Sequence, residues 1–178
     1  VALAERLRAE QREFVIDMIG SGELHDRLLA DIRQRGLEKH VHLLGALPND
    51  EVVKAMREHH IACFTSDRNE GWGAVLNEAM AQGCCPVSSI ETGSTPYLVK
   101  DGVNGFSFNL NKKDELSEKV IWLIDHPNER EQMSIEAYKT IHDVWSPQNA
   151  AKNLYSLCDA MLQGKTIDIP EGPCSKAE

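Results

Sequence analysis

Compact apolar runs alternate along the chain with longer stretches whose apolar positions recur at helical spacing. FVIDMIG (14–20), HVHLLG (40–45), IACFTS (61–66), CPVSSI (85–90) and GFSFN (105–109) are short and bounded by turn-forming residues, as buried strands are. Between them the period changes. Leu24, Leu28, Leu29 and Ile32 share a helical face after the break Ser21-Gly22, and Val52, Val53 and Met56 do so after Pro48-Asn49. AVLNEAMAQ (74–82) runs as a helix to Gly83, a residue suited to ending one. Residues 1–11 (VALAERLRAEQ) read as the tail of a helix, because they are helix formers with no capping residue before them. The chain is helical again from Asp114. Ser146 is a good N-cap for the last helix and Pro147 suits its first position, with Leu154, Leu157, Met161 and Leu162 on an apolar stripe. Thr166 to Glu178 has prolines, a glycine and no periodicity, and is expected to be a mobile terminus or an arm docked on something absent.

Strands alternating with short helices, each strand a compact apolar run, imply a parallel sheet covered on both faces by crossover helices. The expected fold is therefore α/β, a doubly wound parallel sheet. The 178 residues have room for one compact domain, which we expect to span 1–163, with 164–178 as a loose tail. The net charge of −9 argues against a nucleic-acid or anionic-membrane surface, since phosphate-rich partners select basic patches. Any anionic ligand must then be held locally, by helix N-termini and a few placed cations. The five cysteines are odd in number and mostly set in apolar runs, which suits reduced thiols. Cys84 and Cys85 are adjacent but have no second Cys or His pair at zinc spacing, and the adjacent His59 and His60 would point to different faces. No apolar run approaches membrane-spanning length and the first residues lack a signal-peptide pattern, so the expectation is a cytoplasmic protein.

In open parallel sheets ligands bind beyond the C-terminal ends of the strands. The loop after the first strand, Gly20-Ser21-Gly22-Glu23, opens like a dinucleotide fingerprint, but His25 stands at the third glycine position and Glu23 would repel a pyrophosphate. It reads as a tight turn with an acid complementing the helix dipole. The loop after the third strand is richer. Thr65-Ser66-Asp67-Arg68-Asn69-Glu70-Gly71-Trp72-Gly73 leads straight into a helix, with glycines on both sides of a tryptophan. Such glycines let backbone approach a ligand, and the free N–H groups of the first turn favour a phosphate or a sugar hydroxyl. Glu78, one turn beyond Ala74 on the same face, is the one charged side chain of an otherwise small and apolar helix. Its two carboxylate oxygens suit two neighbouring ribose hydroxyls; a solvated or Arg-paired surface Glu is the alternative.

The run from Glu70 to Gly83 resembles the E-x7-E signature of group 1 glycosyltransferases, retaining enzymes of GT-B fold. The resemblance continues through Pro86-Val87, Gly93 with Pro96, and Lys100 to Phe106, and covers nearly all of residues 1–163. It implies the C-terminal, Rossmann-like, nucleotide-sugar-binding half of such an enzyme. Carried over by position, Glu70 is the catalytic candidate and contacts donor-sugar hydroxyls, while Glu78 holds the ribose. Ser66, Gly71, Trp72, Gly73 and Ala74 complete the donor site, the backbone of the last three facing the sugar and distal phosphate. Leu43, Leu44, Gly45 and Leu47 edge the nucleobase, and the final helix crosses back to an acceptor domain. The implied reaction moves a sugar from a nucleoside diphosphate sugar, as co-substrate, to an acceptor hydroxyl, with no cofactor and no metal.

The chain departs from that family where the diphosphate-gripping Arg and Lys should stand, in a loop after a first strand that precedes residue 1. The acceptor domain is missing as well. Ser94 replaces a common second glycine, and Tyr97 an acid that often follows the proline. The expectation is a fragment inactive alone, with an uncovered sheet edge inviting a homodimer. Two rivals remain: a non-catalytic nucleotide-binding or regulatory module, which predicts Glu70 and Glu78 in structural ion pairs, and a sugar-nucleotide epimerase, against which Glu70-Gly71-Trp72-Gly73 argues.

Overall fold

The computed structural model describes residues 1–176. The chain falls into two compact units, Val1–Ala55 and Met56–Glu178. The fold is α/β with every strand pair parallel, and the strands form two ladders, one in each unit.

In the first unit α1 (Ala2–Ala9) precedes β1 (Ile16–Ile19), α2 (His25–Gln34) and β2 (Val41–Gly45). β1 and β2 pair in parallel from Ile16–Val41 to Ile19–Gly45, with an irregularity after Met18. Ala4, Ile32, Leu37 and Val41 are buried together, and Phe14, Ile16 and Leu43 pack on them. Of the positions the periodicity marks, Ile32, Phe14, Ile16, Val41 and Leu43 join this core, whereas Leu24 stands before α2 and is exposed, as are Met18 and Ile19 at the end of β1. Removal of the core residues from water supplies the unit's main stabilisation. Arg8 bonds the carbonyls of Arg35 and Gly36 at 2.5 and 3.0 Å, so a cation closes the C-terminal end of α2 where the helix dipole is negative.

The second unit, which α3 (Asn49–Glu58) enters, holds β3 (Ile61–Phe64), β4 (Cys85–Ser89) and β5 (Phe106–Phe108) in the order β3-β4-β5. The central β4 is buried along all five residues, as a strand covered on both faces must be. Burial pushes the Cys84 thiol up to about 11 and the Cys85 thiol up to about 12, leaving both as small packing residues rather than reactive ones. α4 (Ala74–Ala81), α5 (Thr95–Leu98), α6 (Glu115–Asp125) and α7 (Pro127–Lys139) follow in turn. Leu76, Met80, Leu98 and Ala137 form the core between them.

A π-helical turn, Thr140–Val144, separates α7 from α8 (Pro147–Leu162). Ser146 caps α8 through its hydroxyl, which accepts from Asn149 N at 3.2 Å. No residue of α8 is buried, and Leu154, Tyr155, Met161 and Leu162 lie exposed on its stripe. Past Gly164 the chain returns to its own second unit. Gly172 is buried against the Val144 carbonyl, Asn153 donates to Pro173 O at 3.0 Å, and Lys100 pairs with Glu171 at 3.1 Å. No helix among the described residues is long and apolar enough to cross a membrane.

One buried amide ties these pieces. Asn104 accepts from Lys100 N at 2.7 Å and donates to Leu98 O at 2.8 Å and Thr140 Oγ1 at 2.9 Å. Asn104→Ala should destabilise the chain by about 1–3 kcal/mol, the cost of leaving such partners dry and unpaired. Urea unfolding of this variant beside Asn111→Ala, an exposed control expected within about 0.5 kcal/mol of the parent, checks it.

Candidate functional site

Because β3 and β4 are parallel neighbours, the loops that follow them emerge at one edge of the three-stranded sheet. The first, Thr65 to Gly73, folds around Asp67, whose carboxylate accepts from Asn69 N at 2.9 Å and Asn69 Nδ2 at 3.1 Å. Its carbonyl accepts from Glu70 N at 3.0 Å. That is the self-capping turn which Asp favours. Thr65, Ser66, Asp67, Asn69 and Glu70 line a shallow open depression of ≈ 410 Å³.

The second loop, Ser89 to Ser94, lies directly on the first. Gly93 N donates to Gly71 O at 3.1 Å, Ser94 N to Trp72 O at 3.0 Å, and Thr92 Oγ1 to Ser66 O at 3.3 Å. A methyl group on Gly93 would stand 2.0 Å from Gly71 O, so this approach admits only glycine. Gly73 is constrained twice: it caps α4 at φ 81°, and a Cβ there would meet the Phe64 ring at 2.6 Å. The turn after β4 is unusually polar for a buried segment. Ser88 and Thr95 bond each other at 2.7 Å, while Ser94 Oγ is the one buried side-chain oxygen or nitrogen without a partner among the described residues.

The sequence-derived residues Ser66, Glu70, Gly71, Trp72, Gly73, Ala74 and Glu78 thus lie along one continuous loop and helix start. Ala74 and Glu78 share the exposed face of α4, opposite the buried Leu76, Ala79 and Met80. No side chain caps α4 and no acid occupies its first turn, so its N–H groups and the positive end of its dipole stay available. Neither the Glu70 nor the Glu78 carboxylate has a hydrogen-bond or ion-pair partner among the described residues. Leu43, Leu44, Gly45 and Leu47 belong to the first unit, at and just beyond the C-terminal end of β2, where Leu44 is exposed and Gly45 adopts φ 69°. No cluster of three or more His, Cys, Asp or Glu side chains suited to a metal gathers among the described residues.

Several participants escape the sequence reading. Arg68, the only basic side chain of these two loops, is ion-paired with Glu91, which holds its guanidinium pKa above the ordinary value. Glu91 is the more sheltered partner, at 12% exposure against 86%. Nothing in the sequence pairs them, since the contact depends on β3 and β4 being neighbours. Asn77 accepts from Trp72 Nε1 at 2.8 Å, and the Trp72 ring meets Tyr97 and Trp145, each at 5.4 Å. The i to i+5 spacing of Trp72 and Asn77 is a local signal; that of Trp145 is not.

A family model described as "Glycosyl transferases group 1" matches residues 1–140. An uncharacterised glycosyltransferase of Methanocaldococcus jannaschii is 33% identical over 122 residues, 68% of this chain and 34% of the relative. The C-terminal domain of LpcC, a group 1 glycosyl transferase from Francisella tularensis, superposes with TM-score 0.72 at 20% identity, covering 83% of this chain and 78% of that domain. Anabaena HepE, solved in complex with UDP, superposes with TM-score 0.71 at 20% identity over 92% of this chain and 44% of HepE. The chain therefore spans about a third of the length of the curated relative it matches and less than half of HepE.

The loop contact carries a direct expectation. Gly93→Ala should displace the Gly71 and Trp72 amide resonances and destabilise the unit by about 1–3 kcal/mol, the range for forced overpacking. Gly22→Ala, with open space around its Cβ, serves as the neutral comparison. Unmoved Gly71 and Trp72 resonances in Gly93→Ala would show that the loops do not touch there.

Proposed function

The chain belongs to the group 1 glycosyltransferases, and from that premise we propose that it is the donor-binding domain of a retaining enzyme moving a sugar from a nucleoside diphosphate sugar to an acceptor hydroxyl. The observation that carries the reading is the pair of unpartnered carboxylates, Glu70 and Glu78, flanking an uncapped helix N-terminus. Both carboxylates are exposed and have no protein partner among the described residues, so they stay free to accept from the hydroxyls of a neutral polyhydroxylated ligand. A module with purely structural acids predicts ion pairs at both positions, and neither forms one among the described residues.

In this reading Glu78 accepts from two ribose hydroxyls and Glu70 from hydroxyls of the donor sugar. The backbone of Trp72, Gly73 and Ala74, with Ser66 and Gly71 beside it, faces the sugar and distal phosphate. As the glycosidic bond to the diphosphate breaks, negative charge grows on the departing oxygen, and positive groups placed in advance lower that barrier. The α4 N-terminus supplies part of that field. Further cations and the acceptor site belong to the rest of the enzyme, so this chain binds donor weakly and transfers nothing alone, and the chemistry calls on no metal or cofactor. The UDP complex of HepE supports a nucleotide as ligand for a domain of this fold.

Ligand-observed NMR of the chain against UDP, GDP, ADP and their sugar conjugates tests the proposal. One nucleotide should bind, and Glu78→Ala should weaken it by about tenfold, near 1.4 kcal/mol. The corresponding 2′,3′-dideoxynucleotide, which lacks both hydroxyls, should bind parent and variant alike. Equal affinity of parent and Glu78→Ala for the ribonucleotide would sink the assignment.

A further inference from the structure

A loop can offer its backbone to a ligand only if it keeps one shape, and the loop from Glu70 to Gly73 contains two glycines, the residues that lose most entropy on being fixed. Its one large side chain, Trp72, holds it from both ends. On the backbone side the Trp72 carbonyl accepts from Ser94 N at 3.0 Å. On the other side its indole N–H is engaged by Asn77 Oδ1 at 2.8 Å, so the ring serves as an anchor rather than as a hydrogen-bond donor to a ligand. Tyr97 and Trp145 complete the grip. The Trp72 ring meets them at interplanar angles of 43° and 42°, and they meet each other edge-on at 6.0 Å, near 81°. Such tilted and edge-on arrangements are the ones aromatic rings favour, and they attract beyond what area burial alone supplies.

Trp145 comes from far along the chain, and its place is set by the π-helical turn. Trp145 N donates to Thr140 O at 2.9 Å, the fifth residue back, and this wider turn directs the indole toward α4 and α5. Asn104 holds Thr140 from one side, and Gly172 packs on Val144 from the other.

The geometry points to Trp145 as a positioning residue for the donor loop, acting with Tyr97 and Asn77 to fix the Trp72 indole and thereby the backbone from Glu70 to Ala74. This rests on the reading of that segment as the donor cradle. The clamp and the reading can nevertheless fail separately.

Amide hydrogen exchange of the whole 178-residue chain, without nucleotide, tests the clamp. Trp145→Leu should speed exchange at Gly93 and Ser94, whose N–H groups donate to the Gly71 and Trp72 carbonyls, at least tenfold and leave Val87 to Ser89 in β4 at the parent rate. Trp145→Phe, which keeps a ring in place, should recover most of that protection. Unchanged exchange at Gly93 and Ser94 in Trp145→Leu overturns the inference, as does an equal acceleration in β4, which would make Trp145 an ordinary core residue. If Trp145→Leu does not fold, Asn77→Ala decides: it removes only the indole hydrogen bond, and should still loosen the loop several-fold against an unchanged β4. Nucleotide binding by the parent chain speaks to the donor reading alone. Where the parent binds, Trp145→Leu should weaken a nucleotide sugar at least threefold more than the sugar-free nucleotide; an equal loss of both removes the positioning role.

Discussion

Two backbone hydrogen bonds, from Gly93 to the Gly71 carbonyl and from Ser94 to the Trp72 carbonyl, join the loop after β3 to the loop after β4. Nearly everything at the candidate site depends on that seam. The parallel pairing of β3 and β4 delivers both loops to one sheet edge, but glycine at position 93 is what lets them touch. Once they touch, Glu91 can reach Arg68 and Thr92 can reach the Ser66 carbonyl. Gly73, in a left-handed conformation against Phe64, then turns the chain into α4 so that Ala74 and Glu78 share the outward face. The site is therefore a backbone structure first, with side chains arranged around it.

The electrostatics follow from what that backbone leaves unpaired. The one cation of the two loops is committed to Glu91, so no side-chain charge of these loops offsets Glu70 and Glu78. Such a surface suits the proposed donor reading, which puts hydroxyl donors at the two carboxylates and an anionic group at the helix start. It agrees with a chain whose overall charge is strongly negative.

Much of this was legible in the residues. Strand runs, the Ser146 cap, the helix from Ala74 and its end at Gly83 are local signals, set by periodicity and by the few residues able to cap or turn. The loop from Ser66 to Glu78 was legible for the same reason, since its residues are neighbours in sequence. What escaped depends on contacts between distant segments. The Arg68–Glu91 pair, the Asn104 tie to Thr140 and the approach of Trp145 to Trp72 exist only after β3, β4 and α7 are in place. The stripe on α8 was read correctly as apolar, but an apolar pattern does not say what covers it, and none of its residues is buried. The stretch past Gly164 lacks periodicity yet docks through Glu171, Gly172 and Pro173, contacts too irregular for any period to announce.

The bare stripe on α8 governs how the molecule behaves in a test tube. Leu154, Tyr155, Met161 and Leu162 form an adhesive surface on a molecule that otherwise repels its copies through a net charge of −9. At 0.1 M salt that repulsion already reaches only about 10 Å, and strongly excluded salts such as sulfate strengthen the apolar attraction as they screen the charge. Salting-out therefore acts on this chain in part through that helix, beside the other exposed apolar side chains. Dilute buffers above its isoelectric point favour dispersal, and sulfate works against it.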